Sequence, residues 1–85
     1  MRYEVQRTHC AHVNNKAVPN FAWFPVSRHN NLKRAVQNYA KHDRLRFEFT
    51  QTGWAYNVRL VKNDNGRITP VDLSELPLEL QELLD

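Results

Sequence analysis

The stretch that decides the fold runs from residue 27 to residue 42 and has the sequence SRHNNLKRAVQNYAKH. Its apolar side chains recur at the spacing of one face of an α-helix, and they are Leu32, Ala35, Val36, Tyr39 and Ala40. Ser27 is a residue type that caps helix starts. Lys41 and His42 fall in the last turn, where cations meet the negative end of the helix dipole. The sequence therefore predicts an amphipathic helix with one face turned to a core.

The residues after this helix alternate between apolar and polar, which is the pattern of a half-buried strand. In residues 44–50 the apolar positions are Leu45, Phe47 and Phe49. Residues 54–61 alternate in the same way, so we expect the two runs to pair as a hairpin that buries its aromatic side chains. The opposite face of this hairpin carries three arginines, which are Arg44, Arg46 and Arg59.

Three further strands and a second helix complete the predicted domain. The strands are expected at residues 2–8, 20–26 and 67–71, and Pro25 and Pro70 favour edge positions because proline donates no ladder hydrogen bond. Asn65-Gly66 favours a type I′ hairpin turn, and Ser74 is a plausible cap for a leucine-rich C-terminal helix. We expect one α+β domain over residues 1–85, an antiparallel sheet of about five strands with one central helix and a C-terminal helix packed on it, in the order β-β-α-β-β-β-α.

The charge is divided unevenly along the chain. Residues 1–62 hold eleven Lys or Arg and three acids, a balance of +8, while residues 63–85 have a balance of −5. This division favours a basic surface for an anionic partner, and the alternative is that the two ends neutralise each other within the fold. The chain has no apolar run long enough to span a membrane, no apolar segment typical of a secretory signal and one cysteine, so we expect a cytoplasmic protein.

Few residues point to catalysis or to a bound cofactor. With two glycines in the chain, neither of the glycine-rich phosphate loops can be built, and no paired carboxylates stand in the basic part. Cys10 and His12 share one face of an extended segment and form half of a tetrahedral metal site, which His29 or His42 would have to complete. The commoner interpretation is a half-buried cysteine with surface histidines. We therefore predict no enzyme, no catalytic residues, no metal and no cofactor.

The sequence favours a small binding or regulatory protein that acts through an edge strand, an aromatic side chain and a basic face. The candidate binding residues are Lys33, Arg34, Gln37, Lys41, Arg44, Arg46, Arg59 and Trp23. A protein partner is the first expectation, since exposed aromatic and arginine side chains anchor protein interfaces. A nucleic acid is the alternative, because cations mixed with amides suit phosphates and base edges. Self-association into a homodimer is a further alternative, and no membrane partner is expected.

Overall fold

The computed structural model describes residues 2–8, 11–12 and 22–84, and it contains a four-stranded antiparallel sheet. In chain order the elements are β1 (Arg2–Arg7), β2 (Ala11–His12), β3 (Phe24–His29), α1 (Leu32–Phe49), β4 (Trp54–Ala55), β5 (Val58–Asp64), β6 (Arg67–Pro70) and α2 (Leu78–Gln81). The main sheet has the spatial order β3-β1-β5-β6, and β2 pairs with β4 separately. The predicted α+β class is confirmed, with four strands in the main sheet where about five were expected.

The two edge strands of the main sheet are the two that contain proline. β1 is central and pairs with β3 on one side and with β5 on the other. Pro25 and Pro70 lie in the two outer strands, β3 and β6, as predicted from the missing N–H donor of proline. β3 itself begins at Phe24, so this strand lies later in the chain than residues 20–26.

The turn between β5 and β6 is the predicted asparagine–glycine hairpin. Asn65 has φ of 51° and Gly66 has φ of 92°, and a type I′ turn needs positive φ at both positions. The Asn63 side-chain oxygen accepts a hydrogen bond from the Gly66 N–H at 2.8 Å. Asp64 stands opposite Arg67 across the hairpin. Local turn chemistry therefore sets the register of this strand pair.

The predicted strand over residues 44–50 is wrong, because this segment continues helix α1 to Phe49. The predicted cap Ser27 is also wrong: it lies in β3, and Asn31 caps the helix by accepting from the Arg34 N–H at 3.2 Å. A row of partly buried side chains at helical spacing continues beyond residue 40, and we call it the inward stripe. Its members are Tyr39, His42, Asp43, Arg46 and Phe49. Most of these are polar, so a search for apolar periodicity follows the alternation in residues 44–50 instead.

The C-terminal segment, residues 72–84, forms short separate turns rather than one helix. Asp72 caps a 3₁₀ turn over Leu73–Glu75 by accepting from the Ser74 N–H at 3.0 Å, so the predicted cap Ser74 is wrong. Leu76 then has ψ of 149° because it precedes Pro77, and a residue before proline is disfavoured in the helical region. The helix that follows, α2, has only four residues.

One buried apolar cluster holds the elements together. Its buried members are Val5, Ala35, Val36, Leu60 and Leu76. They come from β1, α1, β5 and the C-terminal segment, so helix α1 and the leucines of that segment cover the same face of the sheet. We call this the inner face and the opposite one the outer face. Within the described ranges, no helix is both long and apolar enough to cross a membrane.

Candidate binding surface

The outward side of α1 carries a row of polar side chains that faces away from the core. At about 100° per residue, Lys33, Gln37, Lys41 and Arg44 fall within roughly 80° of each other around the helix axis, and we call these four residues the outward stripe. All four are exposed, and Arg34 is exposed beside them. The rise per residue makes the stripe about 17 Å long from Lys33 to Arg44. Arg44 therefore joins the helix cations, although the sequence placed it on a hairpin.

Within the part of the chain that the structure describes, no carboxylate forms an ion pair with a cation of the outward stripe, although the exposed Glu48 follows Arg44 by one helical turn on the same side. Neither of the two ion pairs found among those residues involves Lys33, Lys41 or Arg44. Three acids of the C-terminal segment, Glu75, Glu79 and Glu82, are exposed. Neighbouring leucines of that segment pack on the inner side of α1, and they are Leu73, Leu76, Leu80, Leu83 and Leu84. The first turn of α1 contains no acid, although acids there would suit the helix dipole better than cations do. The fold thus gains no evident stability from this charge.

Two large apolar side chains flank the stripe near its C-terminal end. Phe47 is 65% exposed and lies three residues after Arg44, and Leu45 is 43% exposed and lies four residues after Lys41. Residues three or four apart are neighbours on a helix surface. The sequence predicts both on the buried face of a hairpin, and this prediction is wrong because the segment is helical. The stripe therefore ends in a patch that combines arginine, lysine and an exposed aromatic ring.

Arg46, also a candidate binding residue, lies on the inward flank of the same helix. Its Nε donates to Asp43 Oδ1 at 2.9 Å, and both side chains are only partly exposed. The pair has helical i, i+3 spacing, which typically stabilises an exposed helix by a few tenths of a kcal/mol. Arg46 is therefore separate from the outward stripe, and its contact supports the second half of α1.

Arg59 and Trp23 lie on the outer face of the sheet, away from α1. The Arg59 guanidinium sits 4.3 Å from the centre of the Trp23 ring, and its Nε donates to Gln6 Oε1 at 2.9 Å. Partial burial lowers the pKa of Arg59 from its ordinary value. Trp23 is half-buried under this cation. The sequence grouped Arg59 with Arg44 across a hairpin, and that grouping is wrong because the pairing strand is absent from residues 44–50.

The outer face also holds a buried carboxylate. Glu4 is 4% exposed, and its Oε2 accepts from the Asn63 amide at 2.7 Å while its Oε1 accepts from Gln6 at 3.0 Å. Arg28 stands 3.7 Å from the same carboxylate. The hydrogen bond from Asn63 is the largest of the effects that lower the pKa of Glu4, and burial opposes it. Glu4 is thus held as an ion by neighbours on three strands.

A second aromatic–cation contact lies on the inner face beyond the end of the apolar cluster. The Arg7 guanidinium lies 3.8 Å from the centre of the Tyr56 ring and 5.7 Å from that of Phe24. Phe49, at the end of α1, packs on Tyr56 with ring centres 5.6 Å apart. These contacts anchor the last turn of the helix, and they place Phe24 on the side of the sheet opposite to Trp23.

The structure does not bring together those candidate metal ligands that lie within the described residues. Cys10 lies outside the described residues. His29 exchanges a hydrogen bond with the Ser27 hydroxyl at 2.9 Å. Across the described ranges, no group of three His, Cys, Asp or Glu side chains has the geometry to hold a metal ion. Sequence reasoning missed Phe47 and Leu45 as surface residues, and apolar alternation offered no signal for their exposure.

Comparisons with known proteins give no match for this chain. No protein-family model matches it, and neither the curated proteins nor the solved structures contain a significantly similar chain.

Proposed function

We propose that this protein is a non-enzymatic binding protein whose outward stripe contacts an acidic surface of a protein partner. The observation that carries the proposal is the exposure of Phe47 beside Arg44, at the end of a row of cations that lack carboxylate partners among the described residues. Aromatic and arginine side chains are enriched among the residues that dominate binding energy. Surrounding cations steer an acidic partner and fix its orientation.

The contact is placed on the helix rather than on the edge strands. Both outer strands contain a proline, Pro25 in β3 and Pro70 in β6. A proline on an edge removes a backbone donor and disfavours the addition of another strand. The exposed side of α1 has no such restriction, because its backbone hydrogen bonds are closed within the helix.

Nucleic acid is the second candidate, and Gln37 is the residue that favours it. Its amide lies between Lys33 and Lys41 on the stripe, and amides next to cations suit base edges next to phosphates. Phe47 could stack on a base of a single-stranded nucleic acid, but Leu45, the other exposed apolar side chain beside the stripe, has no flat ring for stacking and favours burial against a protein. This difference makes the protein partner the better supported candidate.

The test replaces Phe47 with a photo-crosslinking phenylalanine analogue and irradiates the protein in an extract of its source cells, with and without nuclease. The matched control carries the same analogue at Leu78, which is 78% exposed but lies on the acidic C-terminal segment. We expect a nuclease-resistant protein adduct at position 47 only. The pair K41E and R44E, introduced together, should lower its yield about tenfold, because charge reversal repels an acidic partner.

The same experiment separates the two candidates. An adduct that disappears with nuclease, together with binding that weakens steeply as salt rises, would assign the stripe to nucleic acid. Equal adducts at positions 47 and 78, or an adduct unaffected by the double reversal, would contradict recognition by the stripe. Far-ultraviolet circular dichroism of each variant checks that α1 remains folded.

A further inference from the structure

A polar cleft lies at the end of the sheet where β3 leads into α1 and where β5 turns into β6. Its larger part has a volume of about 380 Å³ and is lined by Arg2, Asn30, Asn63 and Asn65. A smaller part of about 200 Å³ shares Arg2 and Asn30 and adds Arg28 and His29. The shared residues make the two parts adjoin. Every lining residue carries a guanidinium, carboxamide or imidazole, so the cleft is rich in hydrogen-bond donors.

The donors at the mouth of this cleft differ from those at its floor. Asn63 donates an amide hydrogen to Glu4 and accepts with its side-chain oxygen from the Gly66 N–H. Arg2, Asn30 and Asn65 are exposed, and their side chains make no hydrogen bond or close ion pair to another residue that the structure describes. At the floor, Asn63 is therefore bound to other residues of the chain. At the mouth, Arg2, Asn30 and Asn65 come from three separate segments and present donors to the cleft.

The charge of the cleft is positive once its floor is taken into account. Arg2 and Arg28 both act on the Glu4 carboxylate, and Arg28 lies 3.7 Å from it. That carboxylate already accepts two amide hydrogen bonds, from Asn63 and Gln6, so it is compensated. One buried acid against two arginines leaves an excess of positive charge facing the opening. A cation would meet this excess and find no carboxylate among the lining residues, whereas an anion is attracted to it.

We propose that this cleft binds the phosphate group of a small phosphate monoester. A phosphate dianion has three terminal oxygens that accept from several directions, which suits donors converging from Arg2, Asn30 and Asn65, and guanidinium groups bind it through charge-assisted hydrogen bonds. The volume of the larger part exceeds what a lone phosphate needs and falls at the lower end of small-molecule sites, roughly 300–1,000 Å³. The site is separate from the outward stripe and does not depend on its function.

The experiment follows backbone amides by ¹⁵N nuclear magnetic resonance while glycerol phosphate, inorganic phosphate or acetate is added. We expect saturable shifts at Asn30, Asn63 and Asn65, with the monoester bound more tightly than the free ion. The variant R2Q should weaken binding about tenfold, the size of one charge-assisted hydrogen bond. The matched control R67Q removes one exposed arginine beside the same hairpin but outside the cleft, and should change affinity less than twofold. The variant N65G removes the Asn65 amide while glycine keeps the positive φ of that position, and it should also weaken binding.

Four outcomes would contradict the proposed phosphate site or its choice of ligand. Shifts that are as large on the outward stripe as in the cleft would overturn it, because they would reflect general attraction of anions to a basic protein. Equal weakening by R2Q and R67Q, or no saturation at millimolar ligand, would overturn it as well. Inorganic phosphate binding as tightly as the monoester would overturn the choice of ligand and assign the free ion. Because the monoester is added directly, these outcomes are independent of whether the outward stripe has a partner.

Discussion

The two halves of helix α1 use the same helical spacing for different purposes. In the first half, residues 32–40, the inward positions are apolar, and Ala35 and Val36 are fully buried. In the second half, residues 41–49, the inward positions include His42, Asp43 and Arg46, and none is fully buried. Two of the three large apolar side chains of the second half are exposed instead, Leu45 at 43% and Phe47 at 65%, while Phe49 packs inward on Tyr56.

This difference separates the part of the helix that supports the fold from the part that is available for binding. A fully buried apolar side chain stabilises the fold by roughly 1.5–3 kcal/mol, and an exposed one contributes little. The second half depends on local contacts, among them the Asp43–Arg46 pair and the packing of Phe49 on Tyr56. Its exposed apolar surface is free to be buried by a partner. The comparison can be tested residue by residue.

The largest expected difference is between matched truncations in the two halves. V36A should lower the free energy of unfolding by about 2 kcal/mol, because it removes two buried methyl groups and leaves a cavity. F47A removes a larger side chain but should change the free energy by less than about 0.5 kcal/mol, because the ring is mostly exposed. Urea denaturation followed by circular dichroism measures both. If Phe47 lay on the buried face of a hairpin, F47A would instead cost about 3–5 kcal/mol.

A smaller difference tests whether the second half is helical throughout. R44G should be less stable than R44A by about 1 kcal/mol, because glycine is the poorer helix former and the position is exposed. The same pair at Gln37, in the middle of the first half, should give an equal difference and serves as the control. A difference near zero at Arg44 with the full difference at Gln37 would mean that the helix frays before residue 44 in solution.

The first half of α1 and the β5–β6 hairpin were predictable because their signals are local. Apolar residues at Leu32, Ala35 and Val36 mark a helix face, and Asn65-Gly66 supplies the positive φ that its turn needs. The proline rule placed both edge strands without any knowledge of the pairing order. In each case a few neighbouring residues determine the backbone, and tertiary contacts do not compete with them.

The second half of α1 could not be predicted because its local signal pointed to the wrong structure. Leu45, Phe47 and Phe49 alternate as in a strand, but only Phe49 packs inward, on Tyr56. The contacts that favour the helix come from the polar Asp43–Arg46 pair and from Tyr56, which lies outside the alternating run, and a search for apolar periodicity within residues 44–50 takes account of neither. The composition of the candidate surface followed from the sequence, since Lys33, Arg34, Gln37 and Lys41 share the exposed side of one helix. The exposure of Phe47 did not follow from the sequence, because the alternation in residues 44–50 predicts a buried position for it.

The smallest expected effect lies at the junction of the two halves, at His42. Partial burial lowers the pKa of His42 from its ordinary value of 6.5, and the charges of Lys41 and Arg7 act in the same direction. Between the lowered and the ordinary pKa the unfolded chain binds more protons than the folded one, so the free energy of unfolding rises with pH across that window. The contribution is complete above about pH 6.5 and is lost as the pH falls through the window.

Urea denaturation at several pH values should therefore show wild-type stability falling as the pH is lowered from about 7.5 to about 5.5, and H42Q should reduce this fall. The buried carboxylate of Glu4 does not interfere, because its pKa is lowered below 4.5, so its own contribution is lost only at more acidic pH. An unchanged pH dependence in H42Q would show that the ring is fully solvated in solution. The inward stripe of α1 would then end at Tyr39, and the second half of the helix would owe its position to Arg46 and Phe49 alone.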